Sequence, residues 1–149
     1  MMAEIFIEAI RNKIVISCVI VLLFSQAIKM TIDYFNKRLT WKSIVETGGM
    51  PSSHAAVVTA LTVSVWFEEG MSTVFIVCAV FAAIIIRDSF GVRQATGQNT
   101  QLIKRVIRVL NLQDRFRNIK IQEILGHTFL QVLVGVIIGI VVSVWVHLV

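Results

Sequence analysis

Four apolar segments, at residues 14–28, 53–67, 71–86 and 128–149, dominate this chain and point to a helical bundle held in a bilayer. The last one alone reaches the ~20 apolar residues of a comfortable crossing. The other three are shorter, and each carries polar residues at one end: Gln26 and Lys29, Ser52 to His54, Arg87 and Asp88. If all four segments cross, those ends meet at one membrane surface, slightly sunk into it. Ionisable groups at that depth are costly and are usually functional. Composition agrees, because 56% of residues are hydrophobic and only 15% are charged, where a soluble domain carries about a quarter charged residues. The expected fold is all-α: one membrane-embedded domain over residues 1–149, with about four crossing helices and a surface helix in the long connection.

The basic residues sort between the connections. Lys29, Lys37, Arg38 and Lys42 lie between the first and second segments. Arg87, Arg93, Lys104, Arg105, Arg108, Arg115, Arg117 and Lys120 lie between the third and fourth. With four crossings both connections share a side, and the positive-inside tendency makes that side cytoplasmic, with the termini outside. The N-terminal stretch carries Glu4 and Glu8 ahead of Arg11 and Lys13 and lacks a small-residue cleavage pattern, so the first segment is expected to stay in the membrane. Within residues 102–110 apolar and basic side chains segregate at helical spacing, which suits a helix lying on the lipid surface with its cations near anionic headgroups. Gly135 and Gly139 form a small-xxx-small pair that permits close helix packing. Trp41, Trp66 and Trp145 lie near segment ends, as interfacial anchors do. Cys18 and Cys78 sit inside apolar runs and read as small buried hydrophobes without a disulfide.

Chemistry concentrates in three short stretches. In Gly48-Gly49-Met50-Pro51-Ser52-Ser53-His54, two glycines and the only proline lead into hydroxyls and a histidine at the start of an apolar helix. A helix start offers unpaired N–H groups and the positive end of the macrodipole, which suit a phosphate, and a histidine there can move a proton. In Leu125-Gly126-His127-Thr128-Phe129-Leu130-Gln131, His127 and Gln131 are four apart and share a helical face. Gln131 can then accept a hydrogen bond from one ring nitrogen and leave the other to attack. In Arg87-Asp88-Ser89-Phe90-Gly91-Val92-Arg93, Arg93 can clamp a phosphate and Asp88 can orient a histidine or a basic partner. His147, at the opposite end of the last segment, reads as inert and without polar company.

Taken together and in this order, 48–54, 88–93 and 125–128 resemble the divergent branch of the phosphatidic acid phosphatase type 2 superfamily, which includes vanadium-dependent haloperoxidases and bacterial acid phosphatases. The resemblance implies a phosphatase acting on a phosphomonoester or pyrophosphate. It makes His127 the nucleophile that forms a phosphohistidine and His54 the acid that protonates the leaving oxygen. Ser52, Ser53, Lys29, Arg38 and Arg93 would hold phosphate oxygens, and Gln131 and Asp88 would orient the nucleophile. Ser53 stands where the wider superfamily has glycine, no Ser-Arg pair precedes His127, and Gln131 replaces an acidic residue. A lipid substrate follows from the depth of the site, and the chemistry implied calls for no metal or other cofactor. The membrane itself is a partner, nucleic acid is not, and a homo-oligomer is left open. The alternative is a catalytically weak or inactive relative that binds phospholipid headgroups or a partner protein. A transporter or channel subunit would explain the hydrophobicity but not two histidines at helix starts.

Overall fold

The computed structural model describes residues 2–37, 49–112 and 127–149. Helices α1 (Met2–Arg11), α2 (Lys13–Phe35), α3 (Ser53–Glu69), α4 (Thr73–Phe90), α5 (Val92–Val109) and α6 (Phe129–Leu148) account for most of them. No strand occurs among the described residues. Four of the helix starts are fixed by side-chain caps from Asn12, Ser52, Ser72 and Thr128, residue types whose short polar side chains satisfy first-turn N–H groups. Gly70, at φ +65°, takes a positive-φ conformation open to glycine where the chain turns from α3 into α4.

α3 lies at the centre and packs against α2, α4 and α6. Three contacts set the directions. Lys13 Nζ at the start of α2 donates to the His147 carbonyl at the end of α6, at 3.4 Å. The Ser52 N–H donates to the Gln131 carbonyl at 3.0 Å, joining the starts of α3 and α6. The His127 N–H donates to the Ser89 carbonyl at 3.1 Å, bringing the end of α4 to the start of α6. Thus α2 and α4 run towards the end of the bundle from which α3 and α6 depart.

The α3–α6 contact is a seam of small residues. A Cβ on Gly135 would stand 2.5 Å from the Ser52 carbonyl oxygen, and one on Gly139 would stand 2.5 Å from that of Ala56. One turn further on, Ser143 Oγ donates to the Ala60 carbonyl at 3.2 Å. The glycine pair singled out in the sequence therefore lets the two backbones touch.

The molecule is inverted relative to a soluble protein. Among the described residues the largest fully buried side chains are Val21 and Val132, followed by Ser17, Ser25, Ser52, Ser64 and Ser143. Leu23 and Val77, by contrast, are 64% and 62% exposed. Small and hydroxyl residues inside with branched and aromatic ones outside is what lipid, rather than water, selects. α2 and α6, at 23 and 20 residues with mean hydropathy 2.1 and 2.6, are long and apolar enough to cross a membrane.

Two features depart from the sequence reading. The short N-terminal helix α1 was not anticipated. The surface helix expected at 102–110 is the second half of a longer one, because α5 begins at Val92, separated from α4 by Gly91 alone. Along α5, Leu102, Ile103, Val106 and Val109 are exposed on one side, with Arg105 and Arg108 exposed on another.

Candidate active site

Four elements deliver polar side chains to the end where α3 and α6 begin. Lys29 arrives on the last turns of α2, half-buried, its stem against the glycine turn: Lys29 Cε lies 3.5 Å from where a Cβ of Gly49 would stand. Gly49, at φ +86°, needs the left-handed region open to glycine, and it bends the chain into Met50-Pro51 and the cap of α3.

Ser52 is fully buried. Its Oγ accepts from the Ala55 N–H at 3.4 Å, and its own N–H is taken by Gln131. Its Oγ thus caps the start of α3, while its N–H fixes α3 to α6. The outward positions pass to Ser53, half-buried, and His54, exposed, in the first turn of α3. As at any helix start, the N–H groups of these two residues lack intrahelical acceptors.

His127 is buried, at 5% exposure. Gln131 Oε1 stands 3.3 Å from its Nδ1 and also accepts from the Thr128 N–H at 3.0 Å. Thr128 Oγ1 in turn accepts from the Gln131 N–H at 3.4 Å, completing a capping box. Because Oε1 only accepts, the proton of the neutral imidazole sits on Nδ1 and the lone pair on Nε2. One amide oxygen thereby fixes both the start of α6 and the tautomer of the histidine that precedes it.

The end of α4 closes this side. Ser89 is buried, its Oγ donates to the Ile85 carbonyl at 2.8 Å, and its carbonyl receives the His127 N–H. Asp88, half-buried, is its neighbour in the chain. Arg93 follows in the first turn of α5, where only its backbone is described. Arg38 lies outside the described residues, as does Trp41.

The backbone links from Ser52 and Ser89, and the capping box at Thr128, were not picked out from the sequence. The Thr128-x-x-Gln131 spacing is a capping-box pattern and was the one available signal. His147 also differs from expectation: far from lacking polar company, it contacts Ser143, Glu68 and Lys13.

A buried histidine of fixed tautomer and an exposed histidine, each at the start of one of two joined parallel helices beside a lysine, define a class: a lipid-adapted helical bundle with a histidine-bearing, anion-suited end. The chain belongs to the Divergent PAP2 family, which it matches over residues 10–142. It is 34% identical, over 149 residues, to the "Uncharacterized membrane protein YuiD" of Bacillus subtilis (strain 168), spanning 91% of this chain and 94% of that protein. No solved structure matches it. The family resemblance read from the three motifs is thereby borne out.

Proposed function

We propose that this protein is an integral membrane phosphatase that hydrolyses a lipid phosphomonoester or pyrophosphate. The observation that carries the reading is the junction of the α3 and α6 starts through Ser52 and Gln131, at 3.0 Å. It joins two positive helix ends, with His54 in the first turn of one and His127 just ahead of the other in the chain. The Lys29 stem rests on the Gly49 turn that leads into α3.

In the proposed reaction the Nε2 lone pair of His127 attacks phosphorus in line, forming a P–N bond as the P–O bond to the lipid breaks. His54 gives its proton to the leaving oxygen. Water then attacks the phosphohistidine, passing a proton to His54, and the P–N bond breaks to release phosphate. Lys29, Ser53, Arg38, Arg93 and the first-turn N–H groups of α3 would hold the equatorial oxygens, with Ser52 supporting them from behind. Positioning and charge stabilisation supply most of the catalysis in phosphoryl transfer. Asp88 would orient the histidine region from the end of α4. Four helices, α2, α3, α4 and α6, would cross the bilayer with the site on the cytoplasmic side, and α5 would lie in the interface.

The second reading, a headgroup-binding relative of weak or no activity, is favoured by one observation. The group at His127 Nδ1 is a neutral amide, which cannot stabilise a developing imidazolium by charge.

One experiment separates them. The protein is purified in detergent with EDTA and offered phosphatidic acid, phosphatidylglycerophosphate and prenyl pyrophosphates, and phosphate release is measured. Release that survives EDTA and is abolished in His127→Ala is the expected result. Binding without release from any substrate supports the second reading, and release unchanged in His127→Ala overturns the mechanism.

A further inference from the structure

Helix α5 is tied to the bundle through one junction. Among the described helices it packs on α4 alone, and Gly91 is the single residue between the two. The Gly91 N–H donates to the Arg87 carbonyl at 2.9 Å, and a Cβ on Gly91 would stand 2.9 Å from that same oxygen. The junction is therefore tight, without slack between the last turn of α4 and the first of α5. Two residues before it, the Ser89 carbonyl receives the His127 N–H at 3.1 Å. Movement of α5 about this junction thus acts on the turn that holds His127.

The rest of α5 has two distinct sides. Gly97 is buried and Thr100, Lys104 and Ile107 are half-buried, at the spacing of one helical face. Outside that face, Leu102, Ile103, Val106 and Val109 are 52% to 72% exposed. Arg105 and Arg108, also exposed, border this apolar stripe. Residues 92–109 contain Arg93, Lys104, Arg105 and Arg108 and no acidic residue.

Charge and shape select the covering. An apolar stripe bordered by arginines suits the boundary between headgroups and acyl chains, where the long stems let guanidinium groups reach phosphates. A helix with cations and no carboxylate also discriminates between surfaces. An anionic surface favours its docking by about 5-fold for each basic side chain close to the headgroups, and a zwitterionic one does not.

We infer that α5 is a docking arm for anionic phospholipid headgroups, and that its docking steadies, through Gly91, the Ser89 carbonyl that holds His127. The inference rests on the interfacial placement of α5 proposed above and not on phosphatase activity. Docked, α5 is fixed by lipid along its outer side as well as by the junction. Released, it swings on the junction and loosens the last turn of α4. Anionic lipid therefore favours the state in which His127 is held, which couples membrane composition to the histidine end.

The test uses the full chain in nanodiscs of phosphatidylcholine, alone or mixed with phosphatidylserine, a phosphodiester outside the proposed substrate class. Cys18 and Cys78 are replaced by alanine, and an environment-sensitive fluorophore on Val106→Cys reports immersion. Immersion is expected to rise with phosphatidylserine and to reverse in about 1 M salt, where the Debye length is ~3 Å. At the composition giving half immersion, Arg105→Gln with Arg108→Gln should lower the ratio of immersed to free probe about 25-fold. In pure phosphatidylcholine the same pair should change nothing. Hydrogen exchange of the His127 amide in ¹⁵N-histidine-labelled chain, assigned by its loss in His127→Ala, reports the coupling. Exchange should slow by the factor by which the free arm is depleted. A Gly-Gly pair inserted after Gly91 should abolish that slowing and leave immersion unchanged. Immersion indifferent to phosphatidylserine and salt would overturn the headgroup assignment and give the stripe to a protein partner. Immersion that responds while His127 exchange does not would overturn the coupling. A probe that stays in water in every disc would overturn the interfacial placement itself, and none of these outcomes bears on phosphate release.

Discussion

Gln131 has two tasks at the histidine end, because one oxygen serves two donors. Replacing it with leucine removes the acceptor for both Thr128 N–H and His127 Nδ1. The lost capping box should cost on the order of 1 kcal/mol. The freed imidazole should populate the Nε2–H tautomer, visible in ring ¹⁵N shifts. If the phosphatase reading holds, release should fall on the order of 10²-fold or more, as when a catalytic histidine is left in the wrong tautomer. Gln131→Glu keeps an acceptor for both donors and adds the missing charge, so its turnover should rise above that of the wild type. An unchanged rate would mean that charge at Nδ1 does not limit the reaction. Ser52 is a residue whose type was legible in the sequence and whose role was not. A serine at such a helix start reads as a ligand for phosphate, and the structure adds a packing role through its burial and its link to the Gln131 carbonyl.

At the scale of elements, the α3–α6 seam decides where the site residues stand. Gly→Ala in an exposed helix stabilises by ~1 kcal/mol through propensity. At Gly135 or Gly139 the sign should reverse, because the new Cβ would meet a backbone oxygen at 2.5 Å and neither helix can yield locally. Gly135→Ala should cost about 1–3 kcal/mol, as overpacked cores do, read as a lower Tm in nanodiscs. It should also disturb the Ser52–Gln131 link, which His127 ring shifts would report. α5 poses a different problem, since its exposed Leu102, Ile103, Val106 and Val109 need a covering that the bundle does not provide. If the interface supplies it, Val106→Cys should react with an impermeant maleimide much more slowly in nanodiscs than Gln101→Cys on the polar side, with Cys18 and Cys78 replaced by alanine. Equal rates would lift α5 off the lipid.

At the scale of the molecule, the proposed orientation in the membrane has a direct test. Lys29 and the start of α5 belong to the same end of the bundle as His54 and His127, and the Ser72–Thr73 turn belongs to the other. In the cysteine-free background, Thr73→Cys in intact cells should label from outside and Asn99→Cys only after permeabilisation. The reverse pattern would invert the proposed orientation. Much of this was readable from the sequence. Apolar runs bounded by polar residues marked α2, α3, α4 and α6, though not α1, because burial in lipid is a property of composition along a segment. The motif order set the family, and the glycine spacing marked the seam. Residue-level contacts between distant segments depend on register, which no local pattern encodes. The tertiary structure alone decided that Ser52 faces inward, that Gln131 holds two donors at once, and that His147 sits against Glu68. Each follows from where the parallel helices α3 and α6 come to rest against each other once their glycines let the backbones touch.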